Sequence, residues 1–318
     1  MQKRFICTIF FVMVIVSGYG QTLEKAKQLW ADKNFAQAKQ LLKTVKNESK
    51  EYADAQYYLG RIAFDEKDYD AAEDFFEEAI ETNSKIAEYH TWYGNTLGTV
   101  AADANLFKQA MLGPKMKSAW ERAVELDKNA VDARESLIQY YLQAPAIAGG
   151  SVDKAMEIAN EIIKLKPAEG HRQLGNIYYK EKKYPEAEKE FITMANTDPA
   201  YTSGLSNFYI NRKQYDKAFA IFEEQLKKNP TDMMATYQIG KTSALSGQKL
   251  DRGEACLRKY LTYQPQKNEP SLAGATMRLA QIMEKGGKKS EAKKLYESAL
   301  KADASLKEAK EGLERVSK

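Results

Sequence analysis

Cysteine and histidine are nearly absent, with two of each in 318 residues. Cys7 lies in a leading apolar stretch, which leaves Cys256 as the one thiol in the body of the chain, and one thiol forms no internal disulfide. Cys256 stands between Gly253 and Leu257 on an apolar helical face, the setting of a small buried hydrophobe. His90 and His171 each precede an apolar-Gly pair by three residues and read as packing groups. No cluster of His, Cys and carboxylates has metal-ligand spacing, so no metal is expected. No Ser-His-Asp or Cys-His set can be assembled, and the many carboxylates fall on helix faces with no two expected to flank one pocket. Neither catalysis nor a cofactor is therefore expected. Proline is scarce, at eight, and several of these mark helix ends. A surplus of one charge is also missing: the net charge is +4, two of it from Lys3 and Arg4. That is too little positive charge to make nucleic acid the default partner. The basic stretch at 285–294 is interleaved with acids and reads as a solvated face.

The longest apolar run, residues 5–16, is short of the ~20 residues that span a bilayer. Lys3 and Arg4 precede it and the small residues Ser17, Gly18 and Gly20 follow. This is the layout of a secretory signal peptide over residues 1–20, with cleavage expected after Gly20 and no membrane span left afterwards. An exported chain with no disulfide fits a bacterial periplasm best.

What the sequence has in abundance is self-similarity. Gly175, Ala187 and Pro199 are spaced twelve and twelve, and the same step relates Ala26, Ala38 and Lys50; Gly60, Ala72 and Ser84; Ser206, Ala218 and Pro230; and Ala280, Ala292 and Ala304. Gly240, Gly253 and Pro265 match with one extra residue; Gly94, Met116 and Lys128 with ten extra; and Ile138, Ala155 and Pro167 with five extra. Four residues after the middle marker comes a packing residue: Leu42, Phe76, Trp120, Phe191, Phe222, Leu257 or Tyr296, with small Ala159 the exception. Leu174, Gly175 and Tyr178 share one helical face, as do Ala187, Phe191 and Met194. The result is an all-α array of eight helical hairpins with a period of roughly 34 residues. Its units are about 22–51, 52–85, 86–129, 130–167, 168–199, 200–231, 232–266 and 271–304, with a capping helix at 305–318 whose Leu306, Ala309, Leu313 and Val316 turn inward. Two insertions interrupt the period. Residues 98–117 are amphipathic and read as a longer first helix or an extra turn, broken by Gly113-Pro114. Residues 144–151 end a helix at Ala144-Pro145, turn at Gly149-Gly150 and cap the next helix with Ser151. Both should project from the same edge. Pro270 is expected to open the helix of the last hairpin.

The pattern resembles the tetratricopeptide repeat, carried by Leu59-Gly60, Ala72, Phe76 and Ala79 in one unit and by Leu174-Gly175, Tyr178, Ala187, Phe191 and Pro199 in another. Departures include Ala26 and Ile138 at the Gly position and Met116 at the Ala position. The resemblance covers nearly all of the chain from Thr22 onward and implies a right-handed α-α superhelix. It also implies that the first helix of each hairpin faces a concave groove, with the residue after the Leu-Gly pair pointing into it. That position holds Arg61, Asn95, Gln139, Asn176, Asn207, Lys241 and Gln281. Five of the seven are amides, whose donors and acceptors can pair with the backbone of an extended peptide. Tyr57, Arg172 and Tyr237, one turn back, complete the expected partner-binding set, with Thr91 and Glu135 beside them. Met234 and Gln238 stand where a clamp for an acidic peptide terminus needs basic residues. The expected activity is a non-enzymatic scaffold or adaptor in the bacterial envelope that binds a protein or peptide in its groove. The rival readings are an assembly or secretion factor for envelope polysaccharide or outer-membrane proteins, and a helical-toroid carbohydrate enzyme.

Overall fold

A computed structural model describes residues 19–318. The expected signal peptide falls outside the described residues but for Tyr19 and Gly20, which are helical. The described residues form seventeen α-helices and no strand. No helix among them is long and apolar enough to cross a membrane.

The chain divides into two compact units, one ending at Glu190 and the other spanning Phe191–Lys318. The first contains α1 (19–31), α2 (Phe35–Leu42), α3 (Tyr52–Asp65), α4 (Tyr69–Thr82), α5 (Ala87–Ala102), α6 (Leu106–Leu126), α7 (Val131–Gln143), α8 (Val152–Leu165) and α9 (Pro167–Lys180). The division falls within α10 (Tyr184–Thr197). The second contains α11 (Thr202–Asn211), α12 (Tyr215–Lys228), α13 (Met233–Ser246), α14 (Leu250–Tyr260), α15 (Leu272–Lys285), α16 (Lys289–Ala302) and α17 (Lys307–Ser317). Within each unit, successive helices pack as antiparallel hairpins joined by short turns. First helices of neighbouring hairpins also touch, as α3 does α5, α5 does α7 and α13 does α15.

One clasp closes these hairpins. A small residue on the first helix lies against the large packing residue of the second. A Cβ built on Gly60 would come within 2.7 Å of the Phe76 ring, one on Gly94 within 2.6 Å of Trp120, and one on Gly240 within 2.3 Å of Leu257. No side chain beyond hydrogen fits at such a crossing, and the gain is close packing of a fully desolvated ring or aliphatic group. Phe76, Leu257 and Tyr296 are fully buried. Tyr296 makes the same contact with Gly312 of α17, which seals the end of the second unit together with Ala309 and Val316.

The turns share a second device. Lys33, Lys67, Lys182 and Lys213 have left-handed φ between 55° and 66°. The residue after each donates its N–H to the carbonyl five residues before it: Asn34 to Leu29, Asp68 to Ala63, Lys183 to Tyr178 and Gln214 to Tyr209. This is the Schellman helix stop with lysine in the place that glycine usually takes. An aromatic ring follows each turn; Tyr69 and Tyr184 lie 5.3 Å and 5.7 Å from the rings of Phe64 and Tyr179.

Three local expectations are corrected. The extra residues of the first insertion lengthen the second helix of the hairpin, α6, more than the first, and Gly113-Pro114 does not break it. Pro114 costs one backbone hydrogen bond, but the freed carbonyl belongs to Ala110, an exposed residue in a stretch, 105–111, that is exposed throughout. Burial of Leu112 in a cluster with Leu97 and Ala101, and packing of Met116 against that cluster, hold the helix to α5 on either side of the proline. Pro270 does not open α15 either: Ser271 caps it, its Oγ accepting from the Gly274 N–H, while the Pro270 carbonyl accepts from the Tyr260 hydroxyl. In the second insertion α7 stops at Gln143, residues Ala146–Ala148 make a single 3-10 turn, and Ser151 caps α8. Tyr140 joins the two insertions. Its hydroxyl donates to the Ala148 carbonyl at 2.7 Å, and its ring lies 3.7 Å from where a Cβ on Gly113 would stand.

Candidate functional site: a polar pocket on the first helices of the hairpins

In the first unit, α5, α7 and α9 line an open pocket of about 390 Å³ with Asn95, Asp132, Glu135, Ser136, Gln139, Arg172, Gln173 and Asn176. The spacing explains the gathering. Residues 132, 135, 136 and 139 recur at i, i+3, i+4 and i+7 on one face of α7, and 172, 173 and 176, at i, i+1 and i+4, share a face of α9. The opposite faces are buried: Ala133, Leu137 and Ile138 on α7, Leu174 and Ile177 on α9. Every lining side chain is polar.

The pocket is tied from below. The Asn95 Oδ1 accepts from the Trp120 Nε1 at 2.9 Å and from the Ser136 hydroxyl at 3.0 Å, so one amide joins α5, α6 and α7. Behind Arg172 stands Glu169, almost fully buried. Arg172 donates through Nε to Glu169 at 2.7 Å and through Nη2 to Glu135 at 3.1 Å. The Gln173 Nε2 donates to the same two carboxyls, at 3.0 Å and 2.9 Å. Glu135 and Glu169 are also hydrogen-bonded to each other. Burial, then the bond to Glu169 and its charge, push the Glu135 carboxyl up to about 7. Burial acts upward on Glu169 too, but the bonds from Glu135 and Arg172 outweigh it and hold that carboxyl low. The expectation that no two carboxylates share a pocket is therefore overturned. The pair sits one repeat apart, on neighbouring hairpins, where the sequence shows no proximity.

Of the expected partner-binding residues, Asn95, Gln139, Arg172 and Asn176 come together here. Tyr57 and Arg61 do not. The Arg61 guanidinium is held between the rings of Trp92, at 3.6 Å from the centroid, and Trp30, at 4.7 Å, and its Nη1 donates to the Tyr57 hydroxyl. Tyr57 is buried and donates to Glu88. These are packing and network residues with little surface to offer. In the second unit Asn207 is exposed on α11. Tyr237 is buried against Tyr260. Gln281 accepts from Arg278 and donates to Glu308, which Arg278 also grips with both terminal nitrogens. Half-buried Lys241 lies beside this group; burial and the Arg278 charge lower its pKa. Asp132, Ser136 and Gln173 line the pocket and were not among the expected binding residues, although Asp132 and Ser136 precede Gln139 by seven and three residues and Gln173 precedes Asn176 by three, helical spacings visible in the sequence.

His90 is buried and bonds to the Ser84 carbonyl, and His171 bonds to Glu190 at 2.7 Å. Cys256 is 2 % exposed, and burial pushes its thiol up. Among the described residues no group of three or more His, Cys, Asp or Glu is placed to hold a metal ion.

Two family models, both described as tetratricopeptide repeat, match residues 29–92 and 275–305. These stretches carry tetratricopeptide repeats, and the all-helical hairpin fold is that of a tetratricopeptide array. A tetratricopeptide repeat protein from Parabacteroides merdae ATCC 43184 is similar over 84 % of this chain and 99 % of its own, at 17 % identity and a TM-score of 0.51. At that identity the likeness speaks for the fold alone. A crystal structure of MamA, at 19 % identity, covers 56 % of this chain and 96 % of its own with a TM-score of 0.45. A thermophilic TPR protein of Thermus thermophilus, also at 19 %, covers 57 % and 94 % with a TM-score of 0.41. No curated protein sequence matches.

Proposed function

We propose that the chain is a non-enzymatic scaffold whose pocket on α5, α7 and α9 holds an extended segment of a protein partner. Tetratricopeptide repeats generally serve protein–protein interaction, and the fold supplies that frame. The observation that carries the reading is the lining itself: amide side chains from three successive hairpins, Asn95, Gln139 and Asn176, meet in one pocket. Amides recognise backbone N–H and C=O whatever the side chains of the guest. Catalysis is a poorer use of this geometry. Glycoside hydrolysis needs carboxyls some 5–10 Å apart on two sides of a substrate, whereas Glu135 and Glu169 bond directly to each other and Glu169 is buried. The proposed setting is the bacterial envelope, which rests on the signal-like residues 1–20.

The test is peptide capture by the immobilised chain from a randomised library, compared with a Gln139→Ala/Asn176→Ala variant. Both side chains are exposed, so the fold should persist, and retained peptide should fall about tenfold. Equal retention by the variant would remove the pocket from the reading. Turnover of an envelope glycan with no peptide retained would replace a scaffold with an enzyme.

A further inference from the structure

The pocket on α5, α7 and α9 is unbalanced in both charge and hydrogen-bonding capacity. Three carboxyls, Asp132 and Glu135 in the lining and Glu169 behind it, are matched by one guanidinium, that of Arg172. Arg172 already serves two of the three. Acceptors also exceed donors: Gln173 is 3 % exposed, its Nε2 is engaged by both glutamates, and its Oε1 has no donor. A buried amide oxygen without a donor is a standing cost of about 1–3 kcal/mol. Asp132 stands exposed on the rim, one turn before Glu135.

Resting on the groove-binding reading above, we propose that this pocket is a subsite for a cationic side chain of the partner segment, a lysine ammonium or an arginine guanidinium. Its donors meet Asp132 and Glu135, next to the unfilled carbonyl of Gln173, while Gln139, Asn176 and Asn95 take the neighbouring backbone. The pocket is thereby the electrostatic opposite of a clamp for an acidic peptide end.

The charged groups that face Glu135 are Asp132 on its own helix and Glu169 and Arg172 from α9; α5 presents the neutral Asn95. In the empty pocket Glu135 relieves the excess negative charge by keeping a proton to about pH 7. A bound cation takes over that role and the proton leaves. Binding of cationic peptides should therefore strengthen from about pH 5.5 to about pH 8, across the range in which Glu135 ionises.

The probe is a randomised library of eight-residue peptides, acetylated and amidated so that only side chains carry charge, passed over the immobilised full chain at about pH 8. The expected result is at least a fivefold enrichment of lysine or arginine in the retained pool, on the order of 1 kcal/mol. The enrichment should fall at about pH 5.5 and disappear in Glu135→Gln and in Asp132→Asn. Asp132 is exposed, so its variant keeps the test valid if Glu135→Gln proves unstable. Synthetic peptides that differ only in Lys or Arg at the enriched position then decide between the two cations. Peptides retained without cationic enrichment, or with the same enrichment in both variants, would overturn the subsite and leave groove binding standing. If no peptide is retained at all, groove binding itself fails and takes the subsite with it.

Discussion

The paired carboxyls make a prediction about stability that needs no partner. Glu135 is pushed up to about 7 and Glu169 held down at about 2, against an ordinary glutamate value of 4.5. A raised pKa stabilises the fold below 4.5, and that contribution is lost as pH rises through 7. A lowered pKa stabilises the fold above 4.5, and that contribution is lost as pH falls towards 2. The folded pair therefore keeps a single proton between its two titrations, and its contribution peaks near pH 4.5. On the alkaline side the Glu135 carboxyl, pushed up to about 7, contributes at most about 3 kcal/mol at 1.36 kcal/mol per pH unit. The Glu135 side chain is 28 % exposed, and solvent screening brings the figure to about 1–2 kcal/mol. Glu135→Gln keeps the shape and removes the titration. Urea unfolding followed by circular dichroism at about pH 5 and pH 8 should show the wild type losing about 1–2 kcal/mol more than the variant over that interval. Arg172 and Gln173 also hold the Glu169 carboxyl low, so it stays ionised over that interval, and the groups that do not touch the pair cancel in the comparison. Parallel losses would mean that Glu135 ionises as an ordinary surface glutamate, and the shared-proton account would be wrong.

Three further perturbations test the fold. Gly240→Ala places a Cβ 2.3 Å from Leu257, which is fully buried, and should cost about 2–3 kcal/mol by overpacking, read as a drop in Tm of several degrees. Lys67→Gly should raise stability by about 0.5–1 kcal/mol, because Lys67 has a φ of 66° and glycine removes the left-handed strain; a loss in the melt would show that the lysine stem itself packs. Phe107→Ser with Met111→Ser should change stability by less than about 0.5 kcal/mol, since the two residues are 76 % and 60 % exposed; a larger loss in urea unfolding would place the first turns of α6 in the core.

The hairpin order could be read from the chain because the clasp is local. Gly60 with Phe76 and Gly240 with Leu257 are each sixteen or seventeen residues apart, and Gly94 meets Trp120 in the same way. The helix stops could not be read as directly. Left-handed residues are usually sought at glycine, and here lysine fills the position in DKNF, EKDY, EKKY and RKQY. The repetition of a Lys two residues before an aromatic was the visible signal. Gly113-Pro114 misled for the opposite reason: a strong local breaker was overruled by packing of Leu112 and Met116 against α5. At the site, the amides were legible from the position after the Leu-Gly pair, whereas the carboxyl pair was not. Glu135 and Glu169 are 34 residues apart, one full period, and they meet only because equivalent positions of adjacent hairpins face each other.

The same repeat position leads to opposite results at Arg61 and at Gln139, and the neighbours decide which. Arg61 is flanked by Trp30 and Trp92, whose rings fill the space beside the guanidinium and turn a groove position into a packed one. Gln139 has Ser136 three residues before it, and Asn95 and Asn176 on the adjacent first helices, none of which is large enough to cover it. A pocket therefore opens where the chain stops placing aromatic side chains on the face of the first helices. Trp92 closes the face beside Arg61, and Asn95, one turn further along α5, begins the open stretch. The amide that begins it is also the one fixed by Trp120 and Ser136. The pocket thus has a rigid edge at α5 and exposed, adjustable amides at Gln139 and Asn176, the distribution that suits a guest whose backbone is constant and whose side chains vary.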